Sequence, residues 1–300
     1  MSELQLTVAP SDKRPDTLET YSFTRVQEYP SKELVSNGPI QFTQTKVLHS
    51  GNAKVYKGTL SGSAHGGTRE SSVICKLILD STDAREKLLE REATVYSKHL
   101  EELQGVCVPR FYGLYVGEIF DEPASCVLLE DCGVALQDLF TEYSVDLRIK
   151  SMQALMAIHK RGVIHRDFWP SNVIVDNLTN PTRVNVIDFD TSQIRHTCPF
   201  NMKLQLFALP KAMPCLELYE VALDLKLITA ATVKYFGTNI KVTSFVGAEG
   251  LVRAGPKPRG FTHEQLLQIA DNTLAEYFDM YGEFEEYVTG KKKWVIGPML

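Results

Sequence analysis

Two β-type runs near the middle of the chain, VIHRDFWPSNVIVD at 163–176 and TRVNVIDFD at 182–190, carry polar groups among residues that read as buried strand. His165, Arg166 and Asp167 stand together, and Asn172 comes five residues after the aspartate. Asp188-Phe189-Asp190 begins sixteen residues beyond that asparagine, at the end of the second apolar run. Burying ionisable groups is costly unless they are paired or used. An Asp–Asn pair in a loop is ordinarily turn chemistry. The order and spacing of the whole set lift it above that reading.

Composition bounds what surrounds this set. The 300 residues suit one large domain or two packed lobes, and an apolar fraction of 44% with 23% charged residues is ordinary for a globular chain. Thirty-two basic and thirty-seven acidic side chains leave a net charge of −5, which argues against a nucleic-acid partner. Six scattered cysteines without a C-x-x-C pair read as inert thiols in a reducing compartment. No run of eighteen apolar residues, secretory leader or lipidation motif is legible, so no membrane partner and a cytoplasmic or nuclear location are expected.

Along the chain, residues 1–40 are polar, proline-containing and without sustained periodicity, and read as a loosely ordered lead-in. FTQTKVLHS and AKVYKGTL then read as strands joined by a turn at Gly51-Asn52. The Gly/Ser-rich stretch 61–72 reads as a mobile loop, and SVICKLILD as a further strand. Leu89, Tyr96, Leu100 and Leu103 recur at helical spacing and predict a helix over 82–103. VPRFYGLYVG and ASCVLLED read as two more strands, and LQDLFTEY and 145–160 as helical. Further helices are expected near 215–236 and 263–288, separated by a Gly/Pro-containing stretch at 247–261.

The set His165-Arg166-Asp167, Asn172 and Asp188-Phe189 resembles the protein-kinase-like superfamily, whose catalytic loop reads H-R-D-x-x-x-x-N and whose metal-binding turn reads D-F-G. The resemblance covers roughly residues 42–236. It implies an α+β, bilobal protein-kinase-like fold, with a small antiparallel-sheet lobe carrying one helix at 41–130 and a mainly helical lobe at 131–300. It also implies ATP and Mg²⁺ as cofactors, and transfer of the γ-phosphoryl group to an acceptor hydroxyl. Asp167 would orient the acceptor, while Asn172 and Asp188 supply the oxygen ligands that magnesium prefers. In VICKL, Lys76 corresponds to the strand lysine that holds the α/β-phosphates. Its helical partner is one of Glu86, Glu90 and Glu92; Glu92 shares the inward stripe of Leu89 and Tyr96, whereas Glu90 points away from it.

Three places depart from the family pattern. With Val55 aligned on the valine after the phosphate-covering loop, the three glycine positions hold Leu48, Ser50 and Ala53, so backbone N–H groups would cradle phosphate with less freedom. VLLEDCG resembles the hinge, with Leu129 guarding the back of the pocket and backbone groups from Glu130 to Cys132 facing adenine. Asp190 replaces the glycine of D-F-G. The acceptor class stays open. The intact His-Arg-Asp triplet narrowly favours a divergent protein Ser/Thr kinase, with Thr191, Ser192 and Thr197 as downstream hydroxyls. Trp169, in place of the usual lysine, makes HRDFWPSN similar to aminoglycoside, choline and fructosamine kinases, and no A-P-E motif closes the activation segment, which tells against a protein acceptor. A nucleotide-binding pseudokinase scaffold is the third reading.

Overall fold

The structure, a computed structural model, describes residues 3–10, 17–31, 40–51, 53–61, 63–64, 67–68, 71–79, 83–200, 204–205, 215–228, 232–241, 244–281 and 295–296. The chain divides into two compact units, one of Met1–Gln137 with Ala157–Thr197 and one of Asp138–Met156 with Cys198–Leu300. Helices and strands are mixed in an α+β arrangement.

In the first unit, alternation of apolar and polar residues builds a closed sheet. Strands β1 (Glu3–Val8), β2 (Glu19–Arg25), β3 (Ile40–Ser50), β4 (Lys54–Ser61), β5 (Ser71–Leu79), β6 (Phe111–Ile119) and β7 (Glu122–Glu130) close in the order β1-β2-β6-β7-β5-β4-β3. Neighbours are antiparallel except β1 and β3, which run parallel and seal the barrel through Leu4–Ile40 and Leu6–Phe42. Leu4, Leu6, Val8, Phe23, Phe42, Tyr56, Val73, Cys75, Leu77, Tyr115, Cys126 and Leu128 belong to one buried core cluster. Gly58 is required under Phe42, because a Cβ there would lie 2.5 Å from the ring and 2.4 Å from the Thr43 carbonyl oxygen.

The lead-in 1–40, expected to be loosely ordered, therefore supplies two of the seven barrel strands. The reason is closure: a sheet ending at β3 and β6 would leave two unpaired edges, and β1 and β2 satisfy both. The turn expected at Gly51-Asn52 does fall between β3 and β4, although Asn52 lies outside the described residues. Much of the expected loop at 61–72 lies outside them as well, while Ser63–Ala64 pairs with Gly67–Thr68.

The helix expected over 82–103 is α1 (Asp83–Thr94), continued by a π turn at Val95–His99 and a 3₁₀ turn at Glu101–Leu103. Leu100 N donates to Val95 O at 2.9 Å, the five-residue spacing of a π turn, just after the β-branched pair Thr94-Val95. A small antiparallel sheet comes next, with β8 (Val134–Ala135), β9 (Val173–Val175) and β10 (Val184–Val186) in that order.

The other unit departs further from expectation. LQDLFTEY contains only a 3₁₀ turn at Phe140–Glu142, ahead of α2 (Val145–Lys160). The helix expected near 215–236 stops early, as α3 (Leu216–Asp224). Lys226 turns left-handed (φ 48°) and Leu227 N reaches back to Ala222 O at 2.8 Å, which closes the helix end. The chain then forms a hairpin, β11 (Thr232–Tyr235) and β12 (Thr238–Lys241), because Phe236 and Gly237 both take positive φ, as a two-residue hairpin turn demands. The Gly/Pro stretch at 247–261 contains α4 (Gly247–Ala254) before α5 (His263–Tyr281). Val233, Tyr235, Leu251, Val252, Leu266 and Ala270 form this region's core.

If β1 is a structural member of the barrel, Leu6→Ala should lower unfolding free energy by about 2–5 kcal/mol, as for other fully buried leucines. Chemical denaturation reads this directly. A loss below about 0.5 kcal/mol, typical of a surface change, would show that β1 is not packed as described.

Candidate active site

Lys76 reaches its position because strand alternation sends Cys75 and Leu77 into the barrel and leaves Lys76 on the outer face of β5. Its Cα partners are Val55 on β4 and Val127 on β7, so Val55 flanks the lysine directly. On that face Lys76 Nζ donates to Glu92 Oε2 at 2.9 Å and to Asp188 Oδ1 at 2.6 Å. Asp190 Oδ2 stands 3.7 Å away. Of the three glutamates considered, Glu92 is the one on Lys76, and it is 1% exposed; Glu90 faces solvent and Glu86 is half-buried.

The electrostatics follow from this crowding. Burial alone would depress the Lys76 pKa, but Glu92 and Asp188 overcome it and hold the ammonium above its ordinary value. Burial pushes the Asp190 carboxyl up, Lys76 pulls it back, and Asp188 adds repulsion in the upward direction. One cation therefore faces three carboxylates, and the excess negative charge is what a bound cation would relieve.

The loop around Asp167 is fixed by bonds to Ile187, the residue before Asp188. His165 is fully buried; its Nδ1 accepts from Asp167 N at 3.2 Å, so Nε2 carries the proton and donates to Ile187 O at 2.9 Å. Ile187 N in turn donates to Asn172 O at 3.0 Å. Asn172 Nδ2 donates to the Asp167 backbone oxygen at 2.8 Å and to Oδ2 at 3.1 Å. The asparagine thus directs its amide nitrogen to Asp167 and keeps its carbonyl oxygen for another partner. Arg166 and Asp188 both hold left-handed backbone (φ 70° and 68°), a strained state for such residues that persists where surroundings dictate it.

Aromatic rings complete the support. Phe189, fully buried, meets Tyr96 edge-on at 5.2 Å and His165 at 4.9 Å, and Tyr96 stacks on Phe111 at 6.0 Å. The π turn in the helix holds Tyr96 in this column. Sequence reading placed Tyr96 on the inward stripe but did not assign it to Phe189.

Leu129 is buried on β7 between Ile74 and Phe111. The Glu130 carboxylate turns away from Lys76 to the fork of Arg183, with Nη1 at 2.8 Å and Nη2 at 2.9 Å. Cys132 is half-buried, and burial first, then Glu130, pushes its thiol up to about 12. Gly133 has positive φ, and a Cβ there would meet Val175 O at 2.2 Å, so only glycine lets the chain pass. Neither Arg183 nor the approach of Asp190 to Lys76 was anticipated. The D-F-D spelling was the available signal for Asp190. For Arg183 there was none, since it lies 53 residues from Glu130. Trp169 is 58% exposed two residues after Asp167, and Ser192 is buried, its hydroxyl donating to Phe189 O at 2.6 Å.

The Glu130 pairing has a sign in pH. Burial raises the carboxyl, but the bonds from Arg183 and Arg110 outweigh it and leave its pKa below the ordinary 4.5. The stability it contributes is present above that ordinary value and lost as pH falls through the depressed one. Acid denaturation should accordingly have a shallower limb below pH 4.5 in Glu130→Gln than in the parent. Identical acid limbs would contradict the pairing.

A family described as "Phosphotransferase enzyme family" matches residues 127–197, which include Asp167, Asn172 and Asp188 but not Lys76 or Glu92. The Dictyostelium discoideum protein named "Probable serine/threonine-protein kinase kinY" is 26% identical over 160 residues, covering 47% of this chain. The aligned part is 26% of that protein, so the chain spans about a quarter of the length of this curated relative. The crystal structure of a kinase domain aligns over 52% of each chain at 13% identity, with a TM-score of 0.38. The matched segment 127–197 makes that stretch similar to the phosphotransferase family, and the convergence of Lys76, Glu92 and Asp188 is the arrangement that the protein-kinase-like resemblance of the sequence implies.

Proposed function

We propose that the protein is an ATP- and Mg²⁺-dependent phosphotransferase of bilobal kinase type that moves the γ-phosphoryl group of ATP to an acceptor hydroxyl. The observation that carries this reading is the convergence of Lys76 Nζ on Glu92 at 2.9 Å and on Asp188 at 2.6 Å, across 112 residues of sequence in the second case. Phosphoryl transfer asks a protein for positioning and charge neutralisation more than for covalent chemistry. Lys76 supplies the cation for the α/β-phosphates, and Glu92 keeps it extended. Val55 and Leu129 wall the base, and the backbone of Glu130–Cys132 faces it.

Asp188 Oδ and the Asn172 side-chain oxygen are hard donors, the kind magnesium takes, and the direction of Asn172 Nδ2 toward Asp167 fits that use. Magnesium held there would neutralise phosphate charge. Asp167 orients the incoming hydroxyl and accepts its proton, while His165 and Asn172 fix the loop that presents it.

For the acceptor we carry a protein Ser/Thr hydroxyl first, on the intact His165-Arg166-Asp167 triplet and the kinship with a relative named as a Ser/Thr kinase. A small-molecule alcohol is the second reading, favoured by the matched phosphotransferase family and by the exposed Trp169 beside Asp167. Labelled-ATP turnover against parallel protein and metabolite pools separates them, by which pool takes up label.

Asp167→Asn should leave nucleotide binding nearly intact while turnover falls by about 10²-fold or more. Equal turnover by variant and parent would remove Asp167 from the chemistry. Lys76→Met should weaken nucleotide binding and, by stranding buried Glu92, cost about 3–5 kcal/mol of stability in denaturant titration. Unchanged ATP affinity in a folded Lys76→Met variant would move the phosphate site elsewhere.

A further inference from the structure

We propose that Arg183 is a positioning residue of the nucleotide site, clamping the base-facing segment Glu130–Cys132 to β10, the strand that leads into Asp188. The inference rests on the function proposed above and adds to it a residue that lies outside every motif described. Its Nη1 and Nη2 grip both oxygens of Glu130 in a parallel fork, at 2.8 and 2.9 Å, the geometry that gives arginine–carboxylate pairs direction as well as strength. Nη2 also lies 3.8 Å from Cys132 Sγ. Arg183 leads directly into β10, whose Val186 N bonds to Cys107 O at 2.9 Å, and Asp188 comes two residues later.

Both ends of this clamp are built. On the arginine side, Asp176 Oδ1 accepts from the backbone N–H groups of Asn177, Thr182 and Arg183 at 3.0–3.1 Å, and Oδ2 accepts from the Thr182 hydroxyl. That closes the 176–183 loop and sets the backbone from which Arg183 projects. On the glutamate side, Glu130 accepts from Arg110 N at 3.1 Å and from Arg110 Nη1 at 3.4 Å. Beyond Cys132 the segment is tied again, by the pairing of β8 with β9 and by Leu136 N to Val173 O at 3.0 Å. Arg183 Nε is buried with no hydrogen-bond partner among the described residues, a cost that a merely decorative surface arginine would avoid by turning outward. The fork thus places adenine-facing backbone and phosphate-side carboxylate on one frame.

The test uses the full chain and an Mg²⁺-bound fluorescent ATP analogue, titrated well below the unfolding temperature. Arg183→Gln and Glu130→Gln should each raise Kd about tenfold, within the range for outer-shell partners. The double variant should be no worse than the poorer single, because both remove one interaction. Arg183→Lys keeps the charge but not the fork, and should recover only part of the loss. Hydrogen exchange without nucleotide should quicken together at 130–132 and 184–186 in Arg183→Gln. A parent that binds the analogue alongside variants with unchanged Kd overturns the clamp, whatever their melting temperatures. A parent that binds no nucleotide overturns the proposed function first, and the clamp with it.

Discussion

A single ammonium group holds the first unit's polar face together. Glu92 is almost wholly buried, Asp188 and Asp190 are partly so, and Lys76 is the cation set among them. Taken out of water without Lys76, these carboxylates would repel one another and strain against burial. With it, a strand, a helix and the loop after β10 are bound at one point. The same ammonium is a natural partner for a polyphosphate, since phosphate oxygens can take the place of Asp188 while Glu92 stays bonded. Stability and the proposed function therefore draw on one interaction.

What keeps that ammonium in place is the barrel behind it. Lys76 points outward only because Cys75 and Leu77 point inward, and that register is fixed once the core is full. Closure by β1 and β2 removes the sheet's edges and adds Leu4, Leu6, Val8 and Phe23 to the core. On the far side, the column Tyr96–Phe189–His165 fixes how the backbone enters and leaves Asp188. The left-handed Asp188 is tolerable because those rings and the His165–Ile187 bond leave it little alternative.

The proposed catalytic and metal-binding residues were legible because their spacing is local: His165 to Asn172 lie within one loop, and Asp188 ends a recognisable apolar run. Lys76 was legible from the resemblance of VICKL to the kinase strand, and Glu92 from a helical stripe. The first two strands were not, since Leu4-x-Leu6-x-Val8 is too short a signal to stand alone and its partners are a distant antiparallel strand and a parallel one. The hairpin at 232–241 was hidden because apolar residues before it continue a helical texture, while the left-handed Phe236 leaves no mark in sequence. The π turn shifted the helix without breaking its periodicity. Arg183 was invisible for the opposite reason: it belongs to no pattern, and only its two bonds to Glu130 reveal its place.

Thermal unfolding of the parent protein in ATP, with Mg²⁺ and then with the metal chelated, bears most directly on the site. A ligand at one hundred times its Kd stabilises by about 2.7 kcal/mol. The melting temperature should rise by a few degrees with ATP and Mg²⁺ together, and by clearly less with ATP alone. A melting temperature indifferent to ATP in both conditions would mean that Lys76, Glu92 and Asp188 form a structural ion cluster and not a metal-nucleotide site.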